Sequence, residues 1–126
     1  SLSDSALLTA LCNDYNYETA LVEYIKIEKI NSNDLVITTS SSGNSSNIVK
    51  VLEYCKIHKI DTFALSGLKS TNLSILNSRY SLYVPQKTYG IVECIHQIFH
   101  HLLLDKFMNI KEWDRNDYQN MDIKNF

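Results

Sequence analysis

The sequence predicts an α/β fold built on a parallel sheet, and three observations carry that expectation. Short runs rich in β-branched and aromatic residues, at 35–39, 61–66 and 80–84, alternate with longer stretches of helical periodicity. Glycine and proline are scarce, three and one in 126 residues, so regular elements should fill most of the chain. Gly43, Gly67 and Gly90 each follow a strand candidate, where a parallel sheet presents its ligand-binding edge.

The elements follow in order. Residues 4–12 read as a short helix capped by Ser3 or Asp4, with Ala6, Leu7, Ala10 and Leu11 on one face and a break at Asn13-Asp14. A second helix is expected over 17–29, where Ala20, Leu21, Tyr24, Ile27 and Ile30 have the spacing of one buried stripe. Asn31-Ser32-Asn33-Asp34 is a turn cluster. The run Leu35-Val36-Ile37-Thr38-Thr39 has no polar alternation, which predicts a strand buried on both faces. After a polar loop, a helix over 46–58 carries Ile48, Val51, Leu52 and Cys55.

The unit then repeats. A strand over 61–66 ends at Gly67, and a short irregular or helical stretch reaches Asn77. A third strand over 80–84 is stopped by Pro85. Ile91, Val92, Ile95, Ile98, Phe99, Leu102 and Leu103 define a last helix to about residue 108. Residues 1–108 thus read as one domain. Residues 109–126 form a polar tail with Trp113, Tyr118 and Phe126, expected to pack on the domain surface or on a partner subunit.

Composition excludes several function classes. Apolar residues at 44% and charged residues at 21% are an ordinary globular mix. Twelve Lys and Arg against fourteen Asp and Glu give a net charge of −2, and Arg79 and Arg115 are the two arginines. That balance argues against a nucleic-acid partner, which demands a basic excess. Apolar runs fall far short of the ~20 residues that cross a bilayer, and the N-terminus lacks the features of a signal peptide. No membrane association and a cytoplasmic location are therefore expected. Cys12, Cys55 and Cys94 lie in apolar stretches without a Cys-x-x-Cys spacing, and read as buried free thiols.

The most informative segment is Ser40-Ser41-Ser42-Gly43-Asn44-Ser45-Ser46-Asn47, between a strand end and a helix start. A helix N-terminus offers unpaired amides and a partial positive charge, hydroxyls add donors, and a glycine admits close approach. Together they make a cradle for a phosphate monoester that needs no lysine or arginine. Neither a Gly-x-x-x-x-Gly-Lys-Ser/Thr loop nor a Gly-x-Gly-x-x-Gly fingerprint is present.

These residues resemble the sugar isomerase (SIS) domain family, and within it most closely the phosphoheptose isomerases. The string DLVITTSSSGNSSNIVKVLEYCKIHKIDTFALSG is similar to that family's strand, Ser-Thr-Ser-Gly-Asn-Ser loop, helix and following strand. LLTALCNDYNYE resembles its Asn-Asp segment, and YVPQKTYGIVECIHQIFHHLLLD its last strand and helix. The resemblance implies a three-layer sandwich around a parallel, Rossmann-like (flavodoxin-type) sheet. It implies phosphate binding by Ser40, Ser41, Ser42 and Ser45, and sugar contacts from Asn13 and Asp14. His101 falls where the family has a functional histidine, and Glu93 where phosphoheptose isomerases usually carry glutamine. The family's opening helical segment, Asn-Gly-Gly-Ser loop and His- and Glu-bearing helix have no counterpart ahead of Ser1, so the domain is expected to be partial.

The implied activity is aldose–ketose isomerisation of a sugar phosphate, sedoheptulose 7-phosphate to D-glycero-D-manno-heptose 7-phosphate, for bacterial surface polysaccharide. The alternative is a non-catalytic phosphosugar-binding module acting as a sensor or assembly element. Isomerisation needs a base that reaches two adjacent carbons and a donor to the developing oxyanion. Glu93, expected in the first turn of its helix, and His101 suit these roles. On a straight helix they stand about 12 Å apart along the axis, so they would serve one substrate from different subunits. A homo-oligomer, dimer or tetramer, is expected. The chemistry requires no cofactor. By resemblance zinc is the candidate metal, with Glu93 and His101 as its ligands here. His96 and His100, three and seven residues beyond Glu93, read as surface or interface residues.

Overall fold

The structure is a computed structural model, and it describes residues 4–110. The residues fall into two compact units, 1–96 and 97–126, each treated by itself below. Eight elements follow one another: α1 (Ser5–Asp14), α2 (Ala20–Ile27), β1 (Leu35–Ser40), α3 (Ser46–Ile57), β2 (Asp61–Gly67), α4 (Leu73–Asn77), β3 (Tyr80–Val84) and α5 (Tyr89–Phe107). The expected tail lies almost wholly outside the described residues.

The first unit is an open α/β sheet of order β1-β2-β3, all parallel. Leu35 pairs with Asp61 and Ser40 with Ser66, and Phe63 to Gly67 run beside Tyr80 to Val84. Parallel neighbours cannot be joined by a tight hairpin, so α3 carries the chain from β1 to β2 and α4 from β2 to β3. That arrangement places the three strand ends, Ser40, Gly67 and Val84, along one edge of the sheet.

Local chemistry sets the boundaries. Asp4 caps α1 by accepting from the amides of Ala6 (2.8 Å) and Leu7 (3.3 Å). The helix runs through Asn13-Asp14 instead of breaking there, and Tyr15 closes it by donating its amide to the Leu11 carbonyl. Asn16 then delays α2, because its side chain accepts both the amide and the hydroxyl of Thr19 and holds a separate turn. Helices α2 and α3 leave through Lys29 and Lys59, both in the left-handed conformation.

The core of this unit joins Val22 and Ile25 of α2 to Val51 and Cys55 of α3 and to Ile60. Burial pushes the Cys55 thiol up to about 11, so it stays a protonated packing group. The expectation of three buried thiols holds for Cys55 alone. Cys12 is half-buried and Cys94 is exposed. The α2 stripe is also shifted: Ala20, Val22 and Ile25 are buried, whereas Ile27 is exposed.

Strand β1 corrects a larger expectation. Among the described residues it stands at the edge of the sheet, with Leu35 (54% exposed) and Ile37 (41%) uncovered. Its apolar run has the composition of a two-sided core strand, but among the described residues one face lies open. In the second unit, the continuation of α5 exposes Ile98, Leu102, Leu104 and Phe107. No helix among the described residues is long and apolar enough to cross a membrane.

Candidate functional site

The loop after β1 turns back at Gly43, whose φ of +65° suits a residue without a side chain. The Gly43 amide donates to the Ser40 carbonyl (3.1 Å) and to Ser40 Oγ (3.2 Å). Asn44 donates its amide to Ser42 Oγ at 3.2 Å, and Ser40 Oγ lies 3.2 Å from Ser45 Oγ. The loop is tied to the next strand by the Gly67 amide, which donates to the Ser41 carbonyl (3.0 Å). Ser45 is the N-cap of α3 but does not spend its hydroxyl on capping.

These bonds leave the loop able to bind an anion. A hydroxyl that accepts an amide N–H keeps its own proton free to donate. Ser42 Oγ is in that position, and so is one member of the Ser40–Ser45 pair. Ser41 is different: its Oγ donates to Glu93 Oε1 at 3.0 Å. The serines and Glu93 line one cavity of about 370 Å³ together with Thr39, Asn47, Ile48, Tyr17 and Tyr89. No lysine or arginine is in its lining.

The cavity thus gathers Ser40, Ser41, Ser42, Ser45 and Glu93. Asn13 and Asp14 are not in its lining. They sit exposed at the end of α1, where Asn13 Nδ2 donates to Asp14 Oδ1 at 3.3 Å. His101 belongs to the second unit, where it is exposed with its Nε2 3.3 Å from Gln97 Nε2. Glu93 is also not where the sequence suggested: α5 starts at Tyr89 and has no acidic residue in its first turn. The dipole of α5 therefore acts weakly on it, and the local partner is the Ser41 hydroxyl.

His96 departs furthest from expectation. It is buried to 1% exposure, and neither ring nitrogen has a hydrogen-bond partner. That overturns the surface or interface reading for His96. Among the described residues no three His, Cys, Asp or Glu side chains gather closely enough to hold a metal ion. The donor set present does not fit a protein-ligated zinc, which takes three or four such ligands.

Residues that sequence reasoning passed over are Tyr17, Asn47 and Asn72. Tyr17 follows the Asn-Asp segment, and Asn47 opens α3 beside the serines, so position marks both. Nothing local marks Asn72, which is buried against the loop.

A second depression of about 290 Å³, at the opposite end of the strands, is lined by Lys56, Lys59 and Arg79. Its cations are accounted for without a ligand. Lys56 and Lys59 stand at the carbonyl end of α3, and Arg79 pairs with Asp61. The serine cavity remains the candidate site.

Comparison with known proteins bears on the family and the fold. The chain is 33% identical to phosphoheptose isomerase 2 of Campylobacter jejuni over 101 residues, which cover 80% of this chain and 49% of that protein. It is 31% identical to phosphoheptose isomerase of Aneurinibacillus thermoaerophilus, over 86% of this chain and 59% of the relative. The chain spans about half the length of these curated relatives. A phosphoheptose isomerase structure from Neisseria gonorrhoeae superposes on 82% of the chain with a TM-score of 0.74 at 22% identity, and covers 57% of that protein. One from Francisella tularensis gives 0.72 at 23%, which supports the same fold. No family model matches the sequence.

Proposed function

Through the stretch that aligns, the chain belongs with the phosphoheptose isomerases, and from that premise we propose that it interconverts an aldose and a ketose phosphate. The substrate we infer is sedoheptulose 7-phosphate and the product D-glycero-D-manno-heptose 7-phosphate, serving bacterial surface polysaccharide from the cytoplasm. One observation carries the reading: a hydroxyl-lined loop at the strand ends shares its cavity with a carboxylate, Ser41 Oγ to Glu93 Oε1 at 3.0 Å.

In this mechanism the phosphate sits on Ser40, Ser42 and Ser45 and takes over the Ser41 proton. Glu93, released, is the base. It removes a proton from C1 of the ketose, and the electrons pass through a C1–C2 enediolate. Returning the proton to C2 while the C1 hydroxyl gives up its own leaves an aldehyde at C1 and a hydroxyl at C2. An acid must support the oxygen that becomes negative. His101 of the partner subunit is assigned to that role, and Asn13 and Asp14 to the sugar hydroxyls. The gathered donors do not form a metal site, so no step is routed through zinc.

The experiment is to mix the protein with sedoheptulose 7-phosphate and follow the aldose product. Turnover that requires the protein is the expected result. Tight binding without turnover would replace the isomerase by a phosphosugar-binding module.

Self-association belongs to the same proposal. Ile98 and Leu102, one helical turn apart on α5, are both exposed, and neighbouring apolar side chains of that kind suit an interaction surface. Sedimentation velocity should show a dimer or tetramer, and a strictly monomeric species would remove His101 from the mechanism.

A further inference from the structure

We propose that Asn72 is a positioning residue for the serine loop, fixing the turn at Gly43 and through it the hydroxyls that hold the phosphate. The inference rests on the sugar-phosphate reading above. Asn72 is 1% exposed, although it stands at the start of a helix of five residues. Capping accounts for one contact, its Oδ1 accepting the Ile75 amide at 3.1 Å. A cap can do this from the surface, so capping does not explain the burial of a whole amide group, which is costly without partners.

The remaining contacts supply the reason. Asn72 Nδ2 donates to the Lys69 carbonyl (2.7 Å) and to Ser66 Oγ (3.0 Å), so the side chain cannot turn without losing bonds at both ends. Held this way, its amide forms a wall against Gly43. A Cβ at Gly43 would meet Asn72 Oδ1 at 2.2 Å and Cγ at 2.3 Å. The following residues grip the same turn, Leu73 donating its amide to Asn44 Oδ1 (2.9 Å) and Ser74 to the Gly43 carbonyl (2.8 Å). The Gly43 amide bonds in turn to Ser40, and the Asn44 amide to Ser42. Asn72 thus reaches two of the phosphate hydroxyls through one turn, without lining the cavity itself.

The test titrates inorganic phosphate into the 126-residue protein and follows the dissociation constant by 31P line broadening, well below every variant's melting point. Asn72→Ala should weaken binding about tenfold, the factor expected when one charge-assisted hydrogen bond loses its geometry. Asn72→Ser, which keeps an oxygen able to cap Ile75, should weaken it comparably and serves if the alanine variant does not fold. Leu52→Ala removes a fully buried core side chain of α3 that is not in the cavity lining, and should leave the constant within about twofold. Folded Asn72 variants with wild-type affinity would overturn the inference and leave the sugar-phosphate reading standing. Equal weakening by Leu52→Ala would also overturn it, because the effect would then be general loosening. Failure of the wild-type protein to bind phosphate overturns the reading, and this inference with it.

Discussion

Replacing Ser42 and Ser45 together by alanine should lower affinity for a sugar phosphate about 100-fold. Each hydroxyl offers the phosphate a hydrogen bond to a charged acceptor, worth about 1.5 kcal/mol or more, and two such bonds lost make about two decades. The effect is this large because the cavity has no lysine or arginine to compensate. Ser42 and Ser45 are half-buried and exposed, so stability should barely change. Isothermal titration with sedoheptulose 7-phosphate measures the loss. Unchanged affinity in the folded double variant would show that the anion sits elsewhere.

Glu93→Gln should divide the two jobs that meet in this cavity. As the base it should be indispensable, and general-base catalysis typically contributes about 10²–10⁴-fold. Turnover should fall by at least two decades. Binding should move the other way. The wild-type carboxylate holds the Ser41 proton and repels a dianion arriving at the same hydroxyls. The neutral amide removes that repulsion, so inorganic phosphate should bind about three- to tenfold more tightly, a gain tempered by the solvent around an exposed side chain. Steady-state rates and a phosphate titration on one preparation read both signs. Undiminished turnover would take Glu93 out of the chemistry, and weaker phosphate binding would deny that it competes for Ser41.

The parts of this site that could be seen in the sequence are those encoded by neighbours. Ser40 to Ser45 lie within one loop, Gly43 announces its own turn, and the apolar run before them announces a strand. What stayed hidden depends on distant residues. The Ser41–Glu93 bond joins positions 52 apart, and Asn44 meets Leu73 across 29. Asn72 looks like any turn asparagine until the fold presses it on Gly43. His96 sits among the polar residues Glu93, His100 and His101 of its helix, yet it is buried with both nitrogens unpaired. The same limit applies to β1. Leu35 and Ile37 have the character of core residues, and only the strand order shows them at the margin of the sheet.

That margin has a practical consequence. The outer side of Leu35–Ser40 is a row of amides and carbonyls with no neighbouring strand among the described residues, flanked by bare leucine and isoleucine. No lysine or proline interrupts it. Such a rim invites any extended peptide in solution to zip alongside, which is how concentrated stocks precipitate and how expressed chains collect in inclusion bodies.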